Sequence, residues 1–258
     1  MDSILFELKN NIAFIRFNRP EKFNSFNREM ALLFQKYLDD CAASKDVRCV
    51  LITANGKAFS AGQDIGELTG DKQISFDKIL SEHFNPIILK IRGLEKPVVC
   101  AVNGVAAGAG ANIALCCDIV VASKSATFIQ AFSKLGLIPD SGGTYFLPRL
   151  IGLQKATAIM MLGDKVSATE AVDMGMIYKY FEDDVFEKES ISIAEILSQM
   201  PTRGLAFTKK ALNHSMQSNL FDQLQLEDKL QFKAGHTDDY KEGINAFIEK
   251  RKPTFKGS

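Results

Sequence analysis

The 258-residue sequence has no tryptophan, three histidines and no excess of either charge, since Lys plus Arg and Asp plus Glu each total 31. That balance gives neither nucleic acid nor an anionic membrane a reason to be the main partner. A near-neutral pI of about 6.8 leaves little repulsion between copies, which suits self-assembly. The histidines His83, His214 and His236 are scattered, which speaks against a metal site or a serine–histidine pair. The five cysteines are an odd count without metal-ligand spacing, and three stand in apolar surroundings. They read as buried thiols of a reducing compartment. The first residues, MDSILFELKN, have no basic stretch and read as neither a signal nor a transit peptide. Apolar runs such as 98–102 are far too short to span a bilayer. The expected location is the cytoplasm. Phosphate-loop and nucleophile-elbow motifs are missing as well. The stretch GVAAGAGAN offers one Gly-x-Gly, but Ile113 occupies the third glycine position of a dinucleotide fingerprint, and no acidic residue follows at the ribose distance.

A 46% hydrophobic content suffices for one large core, alone or with a small appended unit. ILFELKNNIAFIRFNRP reads as two strands about an Asn10-Asn11 turn. Met30, Leu33, Phe34, Tyr37 and Leu38 have helical spacing, with Ser25 or Asn27 as the N-cap. VRCVLITANG and PVVCAVNG read as buried strands, AGAGANIALCC as a packed helix, and ISFDKILSEHFNPIILKIRGL as a helix interrupted near Pro86. Alternation of strand and helix predicts an α/β fold with a parallel core. From about residue 152 the period is helical, with hardly a strand. The expected division is an α/β core over 1–200 and a helical region over 201–258.

One carboxylate stands out. Asp140, in LGLIPDSGGTY, has Leu135, Leu137, Ile138 and Pro139 before it and Ser141 with two glycines after it. The expectation is that the apolar side desolvates the acid and the small side admits a substrate. Two further corners rich in small residues, FSAGQDI and GVAAGAGAN, allow a ligand to approach the backbone.

Taken in order, NRPEKFNSFNREM, AFSAGQDI, KPVVCAVNGVAAGAGANIALCCDIVVAS, AFSKLGLIPDSGGTYFLPRLIG, ATEAVDMGMI and KEGINAFIEKRKPTF resemble the signature segments of the enoyl-CoA hydratase/isomerase (crotonase) superfamily. The resemblance spans essentially the whole chain. It implies a spiral of ββα units, a helical C-terminal trimerisation region, and a homo-trimer or a dimer of trimers. It implies an acyl-CoA thioester as substrate, with coenzyme A arriving as part of it, and neither a separate cofactor nor a metal. Two backbone N–H groups, of Gln63 and Ala109, would hold the thioester oxygen, provided that Ala109 has a negative φ. The two glutamates with which hydratases of the family activate water and protonate C2 fall on Asn112 and Phe132, which predicts an isomerase in place of a hydratase. Asp140 falls where isomerase relatives carry a catalytic carboxylate. Dehalogenase relatives pair an aspartate there with a Trp and a His, and this chain has no Trp. A non-catalytic acyl-CoA-binding subunit is the alternative from another class. Lys22, Ala61, Asn112 and Phe132 match substrate-binding positions. Asp64 and Ile65 match positions that either face the adenine or fix the loop, and Phe247 and Lys250 match positions that reach a neighbouring subunit's substrate.

Overall fold

The computed structural model of the protein describes residues 2–69 and 74–258. Its strands are β1 (Ile4–Lys9), β2 (Ile12–Phe17), β3 (Cys49–Ala54), β4 (Ala58–Ser60), β5 (Val98–Val102), β6 (Val105–Ala107), β7 (Ile119–Ser123), β8 (Thr127–Ile129), β9 (Lys165–Ser167) and β10 (Lys179–Phe181). From β3 to β8 successive strands go alternately to two sheets. The larger sheet has the order β1-β2-β3-β5-β7-β10 and the smaller β4-β6-β8-β9. Each turn of the chain therefore lays one strand in each layer, the spiral of ββα units that defines the crotonase fold. All pairings are parallel except the β1–β2 hairpin and the β8–β9 pair. Asn10 and Asn11 close the hairpin with φ of 52° and 62°, left-handed values that asparagine tolerates best among non-glycine residues.

The central strands β3 and β5 are buried along their whole length. Alternation then sends Val50 and Ile52, with Val98, Cys100 and Val102, into one cluster, and Cys49 and Leu51, with Val99 and Ala101, into a second. Helices cover both faces. They are α1 (Arg28–Ala43), α2 (Phe76–Lys78), α3 (Asn85–Gly93), α4 (Ala109–Leu115), α5 (Gly143–Ile151), α6 (Leu153–Leu162), α7 (Ala168–Asp173), α8 (Phe186–Gln199), α9 (Thr202–Ser215), α10 (Leu220–Ala234) and α11 (Asp238–Ile248). Of the two candidate caps for α1, Asn27 is the one used: its side chain accepts from Met30 N–H. The interruption expected near Pro86 is a π-helical stretch, Ile79–Phe84, joining α2 to α3. Proline has no N–H for the Glu82 carbonyl four residues back, and Gln35 Nε2 takes that carbonyl at 2.7 Å.

Two short strands, β9 and β10, interrupt the stretch after residue 152 that the sequence period marks as helical. Three-residue strands carry too little alternation to show a period. Beyond them α8 closes the second face of the larger sheet through Phe186 and Ala194. The helices α9 to α11 follow.

Candidate active site

Phe17, Phe26, Phe34, Phe59 and Phe84 are fully buried and pack ring against ring. Burying each such ring stabilises the fold by about 1.5–3 kcal/mol. Phe26 also carries the first corner on its backbone. Its N–H donates to Gly62 O at 2.7 Å, and its carbonyl accepts from Asp64 N–H at 2.8 Å. Gln63, between those two bonds, keeps a main-chain N–H with no acceptor among the described residues.

Gly62 has φ of +85°, and a Cβ there would lie 3.0 Å from Ala107 O and 3.2 Å from Ala109 N. The first corner thus presses against the second, and only glycine fits between them. In the second corner Gly108 carries the positive φ, 54°, as N-cap of α4. Ala109 begins the helix and is absent from the positive-φ residues, so it meets the condition set for it. Its N–H also has no acceptor among the described residues. Gly110 is equally constrained, since a Cβ would lie 2.6 Å from Ser60 O. Phe132, buried, packs 3.7 Å from where a Gly108 Cβ would sit, and so gives this corner an apolar wall.

Asp140 is half-buried, and burial pushes its carboxyl above the usual aspartate range, offset in part by the Ser141 hydroxyl. Ser141 Oγ donates to Asp140 Oδ1 at 2.9 Å. Among the described residues no Lys, Arg or His forms an ion pair with it. Its backbone carbonyl accepts from Asn112 Nδ2 and from Gly143 N, each at 2.8 Å. Asn112 lies on α4 one turn after Ala109, so that side chain joins the Asp140 corner to the helix bearing the free amide.

The reasons first assigned to Asp140's neighbours need correction. Leu135 is 66% exposed and Ile138 81%, so these side chains face solvent and are not packed as a wall on the acid. The segment leaves the 3-10 turn Ala131–Leu135 through a left-handed Gly136 and runs over the surface. The glycines after Asp140 have internal reasons as well. A Cβ on Gly142 would lie 2.8 Å from the Phe146 ring, and one on Gly143 would lie 2.5 Å from Asn112 Nδ2. Their smallness makes room for Phe146 and Asn112.

Of the residues matched to substrate contacts, Ala61, Ile65 and Lys22 are exposed around the first corner. Ala61 N–H donates to Phe23 O at 2.9 Å, which places the Lys22 loop beside it. Asp64 fixes its loop: Oδ1 accepts from Gly66 N at 3.0 Å, and Oδ2 pairs with Arg19 Nη2 at 2.9 Å. Asn112 is buried with both polar atoms engaged inside the chain. Phe247 and Lys250 are exposed at the end of α11, and no hydrogen bond among the described residues links them to these corners. Sequence reading overlooked Gln130, Glu67 and Arg19. Glu67 accepts from both Gln63 Nε2 and Arg28 N–H, tying the first corner to the start of α1.

The enoyl-CoA hydratase/isomerase family profile matches residues 7–258. The chain belongs to that family. Proteins of this family act on acyl-CoA thioesters. Among its relatives is the 1,2-epoxyphenylacetyl-CoA isomerase of Escherichia coli K12, 41% identical over 260 residues that cover 100% of this chain and 99% of the relative. The trans-2-decenoyl-[acyl-carrier-protein] isomerase of Streptococcus mutans is 36% identical over 98% of each chain. Among solved structures, the enoyl-CoA hydratase of Bacillus anthracis superposes with a TM-score of 0.93 at 30% identity, covering 100% of both chains. The family thus includes proteins named for both reaction types.

Proposed function

We propose that the protein is an acyl-CoA isomerase that transposes a double bond through an enolate, with Asp140 as its only proton carrier. The observation that carries this reading is a desolvated carboxylate, with no cation paired to it among the described residues, joined to the helix of a free amide in a site whose hydratase positions hold Asn112 and Phe132. The thioester carbonyl acidifies the C2 protons of a 3-enoyl-CoA. Asp140 removes one of them, and the electron pair moves into the carbonyl, leaving negative charge on oxygen. The N–H groups of Gln63 and Ala109 stabilise that oxygen; one donor of this kind is worth about 2.7–4 kcal/mol in comparable holes. Protonated Asp140 then returns the proton to C4, and the double bond comes to lie between C2 and C3. A raised carboxyl pKa improves both steps near neutral pH, because the group is a stronger base and is still able to hold the proton in transit.

Within this class we propose 1,2-epoxyphenylacetyl-CoA as the substrate, converted from ring epoxide to the oxepin-CoA, with 3-enoyl to 2-enoyl-CoA isomerisation as a second activity. The 41% identity to the isomerase of that substrate supports this choice. A fatty-acid Δ3,Δ2-enoyl isomerase would use the same carboxylate, and the resemblance to the decenoyl-carrier isomerase favours it as the second reading. Turnover of the ring epoxide, 3-hexenoyl-CoA and crotonyl-CoA by the purified chain separates these possibilities. Both isomerisations with negligible crotonyl-CoA hydration are expected, because Phe132 cannot activate water and Asn112 cannot act as an acid at neutral pH. Hydration as fast as isomerisation would overturn the assignment, and no turnover at all would point to a binding subunit.

We further propose that the helical region assembles the chain into a trimer or a dimer of trimers, so that Phe247 and Lys250 reach a neighbour's CoA while Lys22 meets its phosphates within the same subunit. A cleft of about 950 Å³ between α9 and α10 supports this, together with the exposed Leu212, Leu220, Phe221 and Phe232. A mass of 28.5 kDa by light scattering at micromolar concentration would rule it out.

A further inference from the structure

Two buried amides stand behind Asp140. Asn112 is 1% exposed and Gln130 3%. The carbonyl of Asp140 can only accept, so Asn112 turns Nδ2 toward it at 2.8 Å. Asn112 Oδ1 must then face a donor, and Gln130 Nε2 supplies it at 2.7 Å. Gln130 Oε1 remains buried with no partner among the described residues. A buried carbonyl without a partner is a desolvation cost, so the Oε1 end gives no reason for a glutamine here. The contact it makes with Asn112 does.

What Asn112 holds is a strained corner. Ser141, a non-glycine residue, has φ of 51°, and Gly142 has φ of 74°. Such backbone persists only where its surroundings over-determine it. Here the Asp140 carbonyl is pinned from two sides, by Asn112 Nδ2 and by Gly143 N. Asn112 and Ala109 share the first turns of α4, so the side chain that pins the Asp140 corner is rigidly related to the amide that faces the thioester oxygen.

We propose that Asn112 and Gln130 are positioning residues for proton transfer. Gln130 orients the Asn112 amide, and that amide fixes the Asp140 backbone at a set distance from the Ala109 N–H. Neither side chain ionises near neutral pH, so the tether holds Asp140 in place without competing for its proton. A carboxylate at position 112 would put its charge against the lone pairs of the Asp140 carbonyl, so Asn112→Asp cannot substitute for the tether. This inference rests on the proton-carrier role given to Asp140 above.

The test is steady-state isomerisation of 3-hexenoyl-CoA with Tm recorded for every variant. Asn112→Ala is expected to lower kcat by roughly 10–100-fold with little change in KM, as a misplacement of about 1 Å does in a fixed site. Gln130→Met keeps the volume and removes the donor, and should lower kcat in the same direction with Tm retained. The double variant should lose no more than Asn112→Ala alone, because Gln130 acts through Asn112. In an Asp140→Asn background neither change should cost further rate. Full kcat in both single variants, beside an inactive Asp140→Asn, would overturn the tether and leave the proton carrier standing. An equal loss in the Asp140→Asn background would likewise overturn it, by showing that the amides act elsewhere. Full kcat in Asp140→Asn itself would overturn both. Should Asn112→Ala fail to fold, the rate of Gln130→Met alone decides, an unchanged kcat overturning the proposal.

Discussion

Asp140 and Asp118 are both single carboxylates in apolar stretches, LGLIPDSGG and IALCCDIVV, and the fold treats them in opposite ways. Asp118 accepts from Val98 N–H at 2.9 Å, pairs with Lys209 Nζ at 2.8 Å and with Arg92 Nη1 at 3.2 Å. Lys209 itself is buried, and its remaining donors reach the carbonyls of Ile91 and Lys96. Arg92 also bonds Asn213. This cluster fastens α9 to the ends of α3 and β5. Asp140 has a hydroxyl and, among the described residues, no cation. Neighbouring positive charge favours the ionised form of a carboxylate, and burial without it favours the protonated form, which is the setting that the role proposed for Asp140 requires. Asp64 lies between the two: one cation, Arg19, and a loop to hold.

Replacing each partner in turn probes that contrast. The largest effect is expected from Asp140→Asn, which preserves size and removes proton transfer. Its kcat should fall by about 10²–10⁴-fold with CoA-thioester affinity retained. The sign of the stability change is also fixed. Burial raises the folded carboxyl pKa above its unfolded value, so ionisation at neutral pH costs stability, and Tm of Asp140→Asn at pH 7 should match or exceed that of the parent. A lower Tm with intact kcat would make Asp140 a structural cap instead.

Lys209→Met should give the reverse pattern. It leaves the part-buried Asp118 with one cation fewer at a cost of about 3 kcal/mol, or roughly 6–10 °C in Tm, while kcat per folded molecule stays unchanged. A loss of kcat at unchanged Tm would erase the distinction between the two aspartates. Arg19→Met, at the intermediate site, loosens the loop that carries Gln63 and should lower kcat/KM by about tenfold, the scale of one charged hydrogen bond. The smallest effect belongs to Ser141→Ala. Losing the hydroxyl that favours the ionised acid should raise the Asp140 pKa further. The acidic limb of the pH–rate profile then moves to higher pH, with little change on the plateau. A shift to lower pH would show that the hydroxyl acts in another way.

The sequence already displays the contrast in part. Asp140 is conspicuous because of its neighbours, and the long strands β3 and β5, with helix α1, are legible from apolar period. The smaller sheet was not legible. Its strands β4, β6, β8 and β9 are three residues each, and two of them run through the glycine-rich corners, where small residues hide any alternation. Corners could be read as places of close approach, but what approaches could not. Gly143 is glycine because of Asn112, thirty-one positions earlier, and no spacing rule connects them. Gln130 gave no signal at all, since a polar residue ahead of a 3-10 turn looks like surface until its neighbours are known. Leu135 and Ile138 show the opposite case, an apolar run that stands exposed although its position beside Asp140 suggests packing on it.

The alternation of strands between the two layers has a consequence for how the molecule opens. Removing the segment 98–107 from its neighbours would strip β5 out of the larger sheet and β6 out of the smaller in a single event. Between β3 and β8 neither layer can lose a strand by itself, because every covalent step there crosses to the other. Amide hydrogens of β3, β5 and β7 should therefore exchange with solvent water through one shared opening, at one common free energy, rather than peeling off strand by strand. The corners that carry Gln63, Ala109 and Asp140 are fastened to that unit, so their mutual geometry should persist until it opens.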